Sequence, residues 1–160
     1  MRGQRLQRAI NGSSRGYDFL LMDCPPATGL LMVNALFACD EVLIPVVGDY
    51  LALSGLARLQ QTLQSFEKLS KRSVRRWIVV TRFRPRGRLA RAVWQRLADG
   101  FPEALLATPI RENIAVAESP GFGRSVFEYR PSSTGADDYR SLSIDLVEKR
   151  IWKHDSEEQR

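Results

Sequence analysis

Apolar residues cluster in short, nearly continuous runs along the chain, and such runs are typical of buried strands. β-Branched residues are frequent in the later runs, and prolines or polar residues bound them. The pattern predicts strands at residues 17–23, 41–47 and 77–81, with a weaker strand at 105–108.

Longer stretches between these runs carry apolar residues three and four positions apart, which is the spacing of one helix face. They predict helices over residues 29–38, 53–69 and 88–98, the last ending at Gly100. A short helical turn is predicted at 113–118 and a loop at 119–123. Tyr139, Leu142, Leu146, Val147 and Ile151 are expected to line a final helix.

Strands and helices alternate with short connections, which predicts an α/β fold with a mostly parallel sheet and helices on both faces. The chain has 160 residues, enough for one substantial core, so we expect a single domain over residues 1–153 and a polar tail at 154–160. Such sheets bind ligands at the carboxyl ends of their strands. Three loops are expected there, at 23–26, 48–50 and 82–86.

The amino-acid composition argues against several classes of protein. No apolar stretch approaches the roughly 18 residues of a membrane span, so a cytoplasmic protein without a membrane partner is expected. Cys24 and Cys39 are the only cysteines and do not form a CxxC pair, and His154 is the only histidine. These counts argue against a zinc site, a disulfide framework or a histidine-activated nucleophile.

The net charge is +6, and arginines cluster at residues 72–76 and again at 82–96. Clustered cations attract polyphosphate, whereas dispersed cations mainly confer solubility. Nucleic acid is therefore a candidate partner. The competing interpretation is that these arginines only form a solvated helix face.

Asp23 ends the first predicted strand, where a nucleotide-hydrolysing fold would place a carboxylate on the water shell of Mg²⁺. On the pattern alone, an Asp that simply forms the turn is the simpler interpretation. The surrounding sequence favours the magnesium-side interpretation of Asp23 over the turn interpretation. Residues 17–26, with Gly29-Leu30-Leu31 and Asn34-Ala35-Leu36 beyond them, resemble the Walker B segment of the ParA/MinD family of deviant P-loop ATPases, and of its ParA branch in particular.

Further collinear matches to that family lie at residues 40–46, 50–56, 110–113, 117–123, 129–131 and 135–139. The resemblance thus covers the chain from Tyr17 to about Val147, and it implies a P-loop NTPase-like fold. It implies that Asp23 is the catalytic Walker B carboxylate, contacting Mg²⁺ through water, with Pro25 stiffening the adjacent loop. It also implies that adenine is held by Thr81, Arg82, Pro109, Ile110 and Arg111.

DNA contacts are implied as well. ParA proteins bind DNA without sequence preference, and Arg86 lies where relatives carry one such arginine; Arg84, Arg88 and Arg91 would extend the patch. Ala115 replaces another DNA-contacting arginine of some relatives, and many relatives have proline where Arg111 stands. The first difference weakens the assignment of DNA binding, and the second weakens the assignment of Arg111 to adenine.

The largest departure is at the front of the chain. Family members open with a strand and a glycine-rich loop whose two lysines cradle the phosphates. Here residues 1–10 instead predict a helix before the Walker B strand, and the best substitute, residues 121–125, lacks the lysine and is predicted to be an ordinary loop. We therefore expect the C-terminal part of a family member, with the N-terminal strand and P-loop missing.

The leading hypothesis is a ParA-like ATPase of chromosome or plasmid partitioning or of intracellular positioning. Its implied cofactors are ATP and Mg²⁺, but this chain alone is expected neither to bind ATP tightly nor to hydrolyse it. Implied partners are nucleoid DNA, a ParB-like stimulating protein, and a second copy or a full-length relative in a dimer. The alternative is a non-catalytic DNA-binding or dimerisation module that modulates full-length relatives. A MinD-like membrane regulator is disfavoured because residues 155–158 are largely acidic.

Overall fold

A computed structural model of the chain describes residues 2–13, 16–25 and 29–153. The predicted tail at 154–160 and residues 26–28 lie outside the described residues. The elements, in chain order, are a 3-10 turn at Arg2–Gln4, α1 (Arg5–Ser13), α2 (Leu30–Ala38), β1 (Glu41–Val47), α3 (Tyr50–Ser70), β2 (Arg75–Thr81), α4 (Arg88–Gly100), α5 (Ile114–Glu118), a 3-10 turn at Ser119–Phe122, α6 (Val126–Tyr129) and α7 (Thr134–Glu148).

The chain divides into two compact units. The first unit comprises Met1–Val42 and Gln60–Arg75, and the second comprises Leu43–Leu59 and Arg76–Arg160. The prediction of one domain over residues 1–153 stays a prediction. Among the described residues, no helix combines the length and apolar character that crossing a bilayer requires.

The core of the first unit forms between α2 and the later part of α3. Leu36, Leu63 and Phe66 are buried, and the Phe37 and Phe66 rings meet edge to face with centroids 5.0 Å apart. The Arg72 guanidinium donates to the carbonyl of Phe37 at the end of α2. A basic side chain thereby satisfies a backbone acceptor that the helix itself cannot pair.

β1 and β2 pair in parallel. The N–H of Arg75, at the start of β2, donates to the carbonyl of Asp40, just before β1, at 3.3 Å, so the two strands begin together and run in the same direction. Residues 77–80 of β2 are all buried, which means that both faces of this strand are covered. The α/β class, both strands, and the helices predicted at 29–38, 53–69 and 88–98 are confirmed.

The weak strand predicted at 105–108 is an interrupted parallel ladder. Leu106 donates its N–H to the Ile78 carbonyl at 2.9 Å, and the next such bond is from Ile110 to the Val80 carbonyl at 2.8 Å. Residues 107–109 therefore bulge out of the ladder. Pro109, which has no N–H to donate, lies in this bulge.

The strand predicted at 17–23 is not formed, and this expectation was wrong. Residues 17–25 are irregular, and the apolar side chains are open to solvent, with Tyr17 76% and Leu21 92% exposed. The physical reason is that a strand requires hydrogen-bonding neighbours. Within residues 2–13, 16–25 and 29–153, the only sheet is the pair β1 and β2, so no strand there pairs with this segment.

Two smaller expectations were also wrong. Residues 119–122 form a 3-10 turn rather than an irregular loop. Ile151 does not continue the last helix, because α7 ends at Glu148 and Lys149 adopts a left-handed cap with φ of 57°. Ile151 pairs instead with Leu106 in an antiparallel bridge. It packs there against the buried cluster of Trp77, Val79, Leu106, Ile110 and Leu142.

Small residues allow α5, α6 and α7 to approach closely in the second unit. Ala115, Val126 and Ala136 form a buried cluster at their contact. A Cβ atom on Gly135 would lie only 2.5 Å from Cγ2 of Val116. Glycine is therefore required at this position by packing rather than by backbone conformation.

We expect Gly135→Ala to lower the free energy of unfolding by about 1–3 kcal/mol, because the added methyl group overpacks a filled contact. Gly100→Ala is the matched control, since a Cβ there meets no atom within 4 Å; it should be neutral or stabilising by up to about 1 kcal/mol. Urea denaturation followed by circular dichroism measures both. Equal effects of the two substitutions would contradict the packing argument.

Candidate functional site

Two loops at the carboxyl end of β2 are joined by backbone hydrogen bonds. We call residues 81–84 and 109–112 the paired loops. The Phe83 N–H donates to the Ile110 carbonyl at 3.0 Å, and the Glu112 N–H donates to the Phe83 carbonyl at 3.1 Å. The paired loops contain all the residues that the resemblance assigns to adenine, which are Thr81, Arg82, Pro109, Ile110 and Arg111.

Arg111 is tied to α7 by a buried carboxylate. Asp138 accepts from the Arg111 backbone N–H at 2.9 Å, from Nε at 3.0 and 3.1 Å, and from Nη2 at 2.6 Å. These side-chain bonds raise the pKa of the Arg111 guanidinium. Because Asp138 is only 8% exposed, the pair anchors the second of the paired loops to the helix.

Glu112 binds two arginines of the other loop. Arg84 donates its Nε to the Glu112 carboxylate, and Arg82 Nη2 lies 3.6 Å from the second carboxylate oxygen. The hydrogen bond from Arg84, together with the charges of Arg84 and Arg82, lowers the pKa of the Glu112 carboxyl. Arg82 has a φ of 50°, a left-handed conformation uncommon for a residue with a side chain. The paired loops are thus tied by charge as well as by backbone.

Asp145 anchors the bulge between the two parts of the ladder. It is fully buried, accepts the Thr108 N–H at 2.7 Å, and pairs with Arg150 Nη2 at 2.7 Å. Asp138, Leu142 and Asp145 follow each other at four and three residues, so they share one helix face. Asp138, Asp145 and Glu112 were not predicted as site residues from the sequence. The sequence did contain a signal for Asp138 and Asp145, because both lie at helical spacing from the core residue Leu142.

Asp23 and Pro25 belong to the first unit, where both are exposed in an irregular segment. The other predicted ligand residues belong to the second unit. Among the described residues, no group of three or more acidic, cysteine or histidine side chains could hold a metal ion. One exposed carboxylate does not hold Mg²⁺ by itself, because this ion keeps several waters and is usually bound by one or two carboxylates together with substrate phosphates.

The four arginines predicted to contact DNA lie on the loop before α4 and on its first turn. Six arginines and no acidic residue occur between 82 and 96. Arg86, Arg88 and Arg91 are exposed, and none forms an ion pair with an acidic residue of the described chain. The first turn of α4 has no acidic residue and no side-chain cap, so nothing there offsets the positive end of the helix.

Arg84 differs from these three, because Glu112 already holds its guanidinium. Within the part of the chain that the structure describes, the predicted DNA contacts therefore separate into one paired arginine and three unpaired ones. We call Arg86, Arg88 and Arg91 the free arginines.

Comparisons with known proteins agree with this architecture. A family model described as an AAA domain matches residues 1–76. The chain is 35% identical over 144 residues to the sporulation initiation inhibitor protein Soj of Bacillus subtilis, covering 89% of the chain and 57% of that protein. It is 38% identical over 133 residues to the chromosome-partitioning ATPase Soj of Thermus thermophilus, covering 82% and 53%. It is 36% identical over 148 residues to the cell division protein PomZ of Myxococcus xanthus, covering 92% and 46%.

Solved structures share the fold. Cobyrinic acid a,c-diamide synthase of Mycobacterium smegmatis, with bound ADP and magnesium, superposes with a TM-score of 0.73 at 23% identity over 97% of this chain and 58% of that one. The cell division ATPase MinD of Pyrococcus furiosus gives a TM-score of 0.71 at 21% identity over 92% and 59%. The fold is thus that of the P-loop NTPase-like α/β proteins.

In both sequence and fold, this chain is similar to ATPases of the ParA/MinD type. The chain spans about half the length of the curated relatives it matches.

We expect Asp138→Asn to lower the free energy of unfolding by about 1–3 kcal/mol, because it breaks a buried ion pair whose arginine partner is partly exposed. Asp137→Asn is the matched control. Its carboxylate is 60% exposed and pairs with Arg140 on the surface, so the decrease should stay within about 0.5 kcal/mol. Chemical denaturation measures both, and a decrease as small for Asp138→Asn as for the control would contradict the anchoring role.

Proposed function

We propose that this chain supplies the adenine-side loops and the DNA-facing surface of a ParA-type partition or positioning ATPase. The single observation that carries the proposal is the joining of residues 81–84 to residues 109–112 at the carboxyl end of β2. Ligands of parallel α/β sheets bind at this edge. The sequence relationship to partition and positioning proteins supports the same assignment. In this proposal Asp23 is the catalytic Walker B carboxylate.

We further propose that these 160 residues do not bind ATP tightly or hydrolyse it alone. A triphosphate requires several cationic or N–H donors to replace its hydration. No lysine-bearing glycine loop occurs in the sequence. The three guanidinium groups of the paired loops, those of Arg82, Arg84 and Arg111, already pair with Glu112 and Asp138. The cationic cradle that would offset the phosphates is therefore lacking in these residues.

Isothermal titration of the chain with ATP and Mg²⁺ should give no binding in the micromolar range. The chromosome-partitioning ATPase Soj of Thermus thermophilus, titrated in parallel, is the positive control, and circular dichroism of the same sample verifies that the chain is folded. Micromolar affinity, or phosphate release above the rate without protein, would contradict this part of the proposal. Asp23→Asn would then test whether Asp23 contributes to that affinity.

The ParB-like stimulating protein, the nucleoid location and the dimer belong to the same proposal. They follow from the family, in which the relatives of this chain are chromosome-partitioning and cell-division proteins. The dimer would form with a second copy or with a full-length relative, and only the relative would bring a complete nucleotide site to the assembly.

A second candidate function is a non-catalytic DNA-binding module that modulates full-length relatives. The observation that favours it is the set of free arginines on α4 and the preceding loop. Their charges are not offset by nearby acids of the described chain, and the positive end of a helix lies among them. Phosphate oxygens would relieve this accumulation of positive charge, and they carry no sequence information. DNA binding of this kind requires no nucleotide.

Alanine in place of Arg86, Arg88 or Arg91 should weaken binding to duplex DNA and reduce the slope of log K against log salt by about 0.9 for each phosphate that the variant no longer neutralises. Arg124→Ala is the charge-matched control, because Arg124 is exposed but lies outside this segment. Fluorescence anisotropy with a labelled duplex between about 50 and 200 mM salt measures both quantities. Absence of binding at low salt, or an equally weakened affinity for Arg124→Ala, would overturn the assignment.

A further inference from the structure

We propose that Glu112 is a charge clamp that withholds Arg84 from DNA and thereby limits how tightly this surface binds. The inference rests on the proposed DNA-binding function of the basic segment and assigns a regulating residue to it. Glu112 is not one of the residues that the sequence or the resemblance assigned to DNA or to nucleotide.

The geometry shows one carboxylate serving two guanidinium groups. Arg84 Nε donates to one oxygen of Glu112, and Arg82 Nη2 lies 3.6 Å from the other. The Arg84 side chain is 71% exposed and that of Glu112 is 38% exposed, so a phosphate has access to the pair. A phosphate can therefore compete with Glu112 for Arg84, because the pair is not buried in the core.

The position of Glu112 is fixed by the backbone. Its N–H donates to the Phe83 carbonyl, and Arg111 before it is held by the buried carboxylate of Asp138. The backbone that carries the Glu112 carboxylate consequently stays beside residues 82–84. Only the side chains then have to be ordered when the pair forms, which lowers the entropic cost of the pair and makes its competition with a phosphate more effective.

Arg84 and the free arginines occupy one short segment but differ in what a phosphate must displace. Arg86, Arg88 and Arg91 need only exchange water and counterions. Arg84 must first break its bond to Glu112, and the carboxylate repels an approaching phosphate well within the Debye length of about 10 Å at 0.1 M salt. Arg84 should thus contribute less to DNA affinity than its neighbours, and removal of the Glu112 charge should restore its contribution.

The test measures anisotropy of a labelled duplex with the full chain and with Glu112→Gln across a series of salt concentrations. Glu112→Gln should tighten binding by about 3- to 10-fold near 0.1 M salt and steepen the salt slope by the equivalent of about one additional phosphate. Glu103→Gln changes the net charge equally at an exposed position outside the paired loops. It should alter affinity less than about twofold, as expected for a distant screened charge.

A double-mutant cycle separates the clamp from a general charge effect. Arg84→Ala should change affinity little in the wild-type background, but in the Glu112→Gln background it should weaken binding about as much as Arg86→Ala does. If the wild-type chain binds DNA and Glu112→Gln matches Glu103→Gln, the clamp is refuted while DNA binding stands. If no variant binds DNA at low salt, the proposed DNA function fails and the clamp fails with it.

Discussion

Two carboxylates buried on one face of α7 determine the path of the polypeptide that follows α4. Removing an ionised carboxylate from water is costly unless hydrogen bonds and opposite charge replace its hydration. Asp138 obtains them from the backbone and guanidinium of Arg111, and Asp145 obtains them from the Thr108 N–H and Arg150. The segment from 108 to 111 is therefore attached to α7 by these bonds and to β2 by its ladder. The two loops at this edge are positioned by that double attachment.

The same electrostatic requirement distributes the positive charge of the chain. Asp138 pairs with Arg111, and Arg82 and Arg84 share Glu112, so three cations at the edge of β2 are paired with two carboxylates. The free arginines begin two residues beyond Arg84, on the loop before α4 and on its first turn. The basic run at 82–96 thus has arginines that share a carboxylate at the proposed nucleotide edge, followed by the free arginines, which have no acidic partner in the described chain. This division links the two proposed activities to one short segment.

The spacing of apolar residues correctly predicted those helices and strands that are stabilised by apolar packing or by contacts close in sequence. α3 and α4 follow from their apolar stripes, and β1 and β2 follow from continuous apolar runs, of which β2 is buried on both faces. The family resemblance, rather than the apolar pattern, assigned the loops after β2 and before α5 to one ligand, and backbone hydrogen bonds join these two loops in the structure. The interrupted ladder was predicted only as a weak strand, because the bulge at 107–109 is set by a carboxylate on α7 far along the chain. The apolar pattern around 107–109 gives no indication of this bond, because its partner Asp145 lies 37 residues further along the chain.

The segment at 17–23 is a case in which the sequence predicted a strand that does not form. Its composition is that of a buried strand, and its residues carry the family resemblance, yet its large apolar side chains are exposed. β propensity describes how well side chains suit a half-buried pleated surface, and it does not provide the neighbouring backbone groups. In the described residues β1 and β2 pair with each other, and no strand is bonded to this segment. The apolar sequence is therefore necessary for the strand but not sufficient, because the hydrogen-bonding partner decides whether it forms.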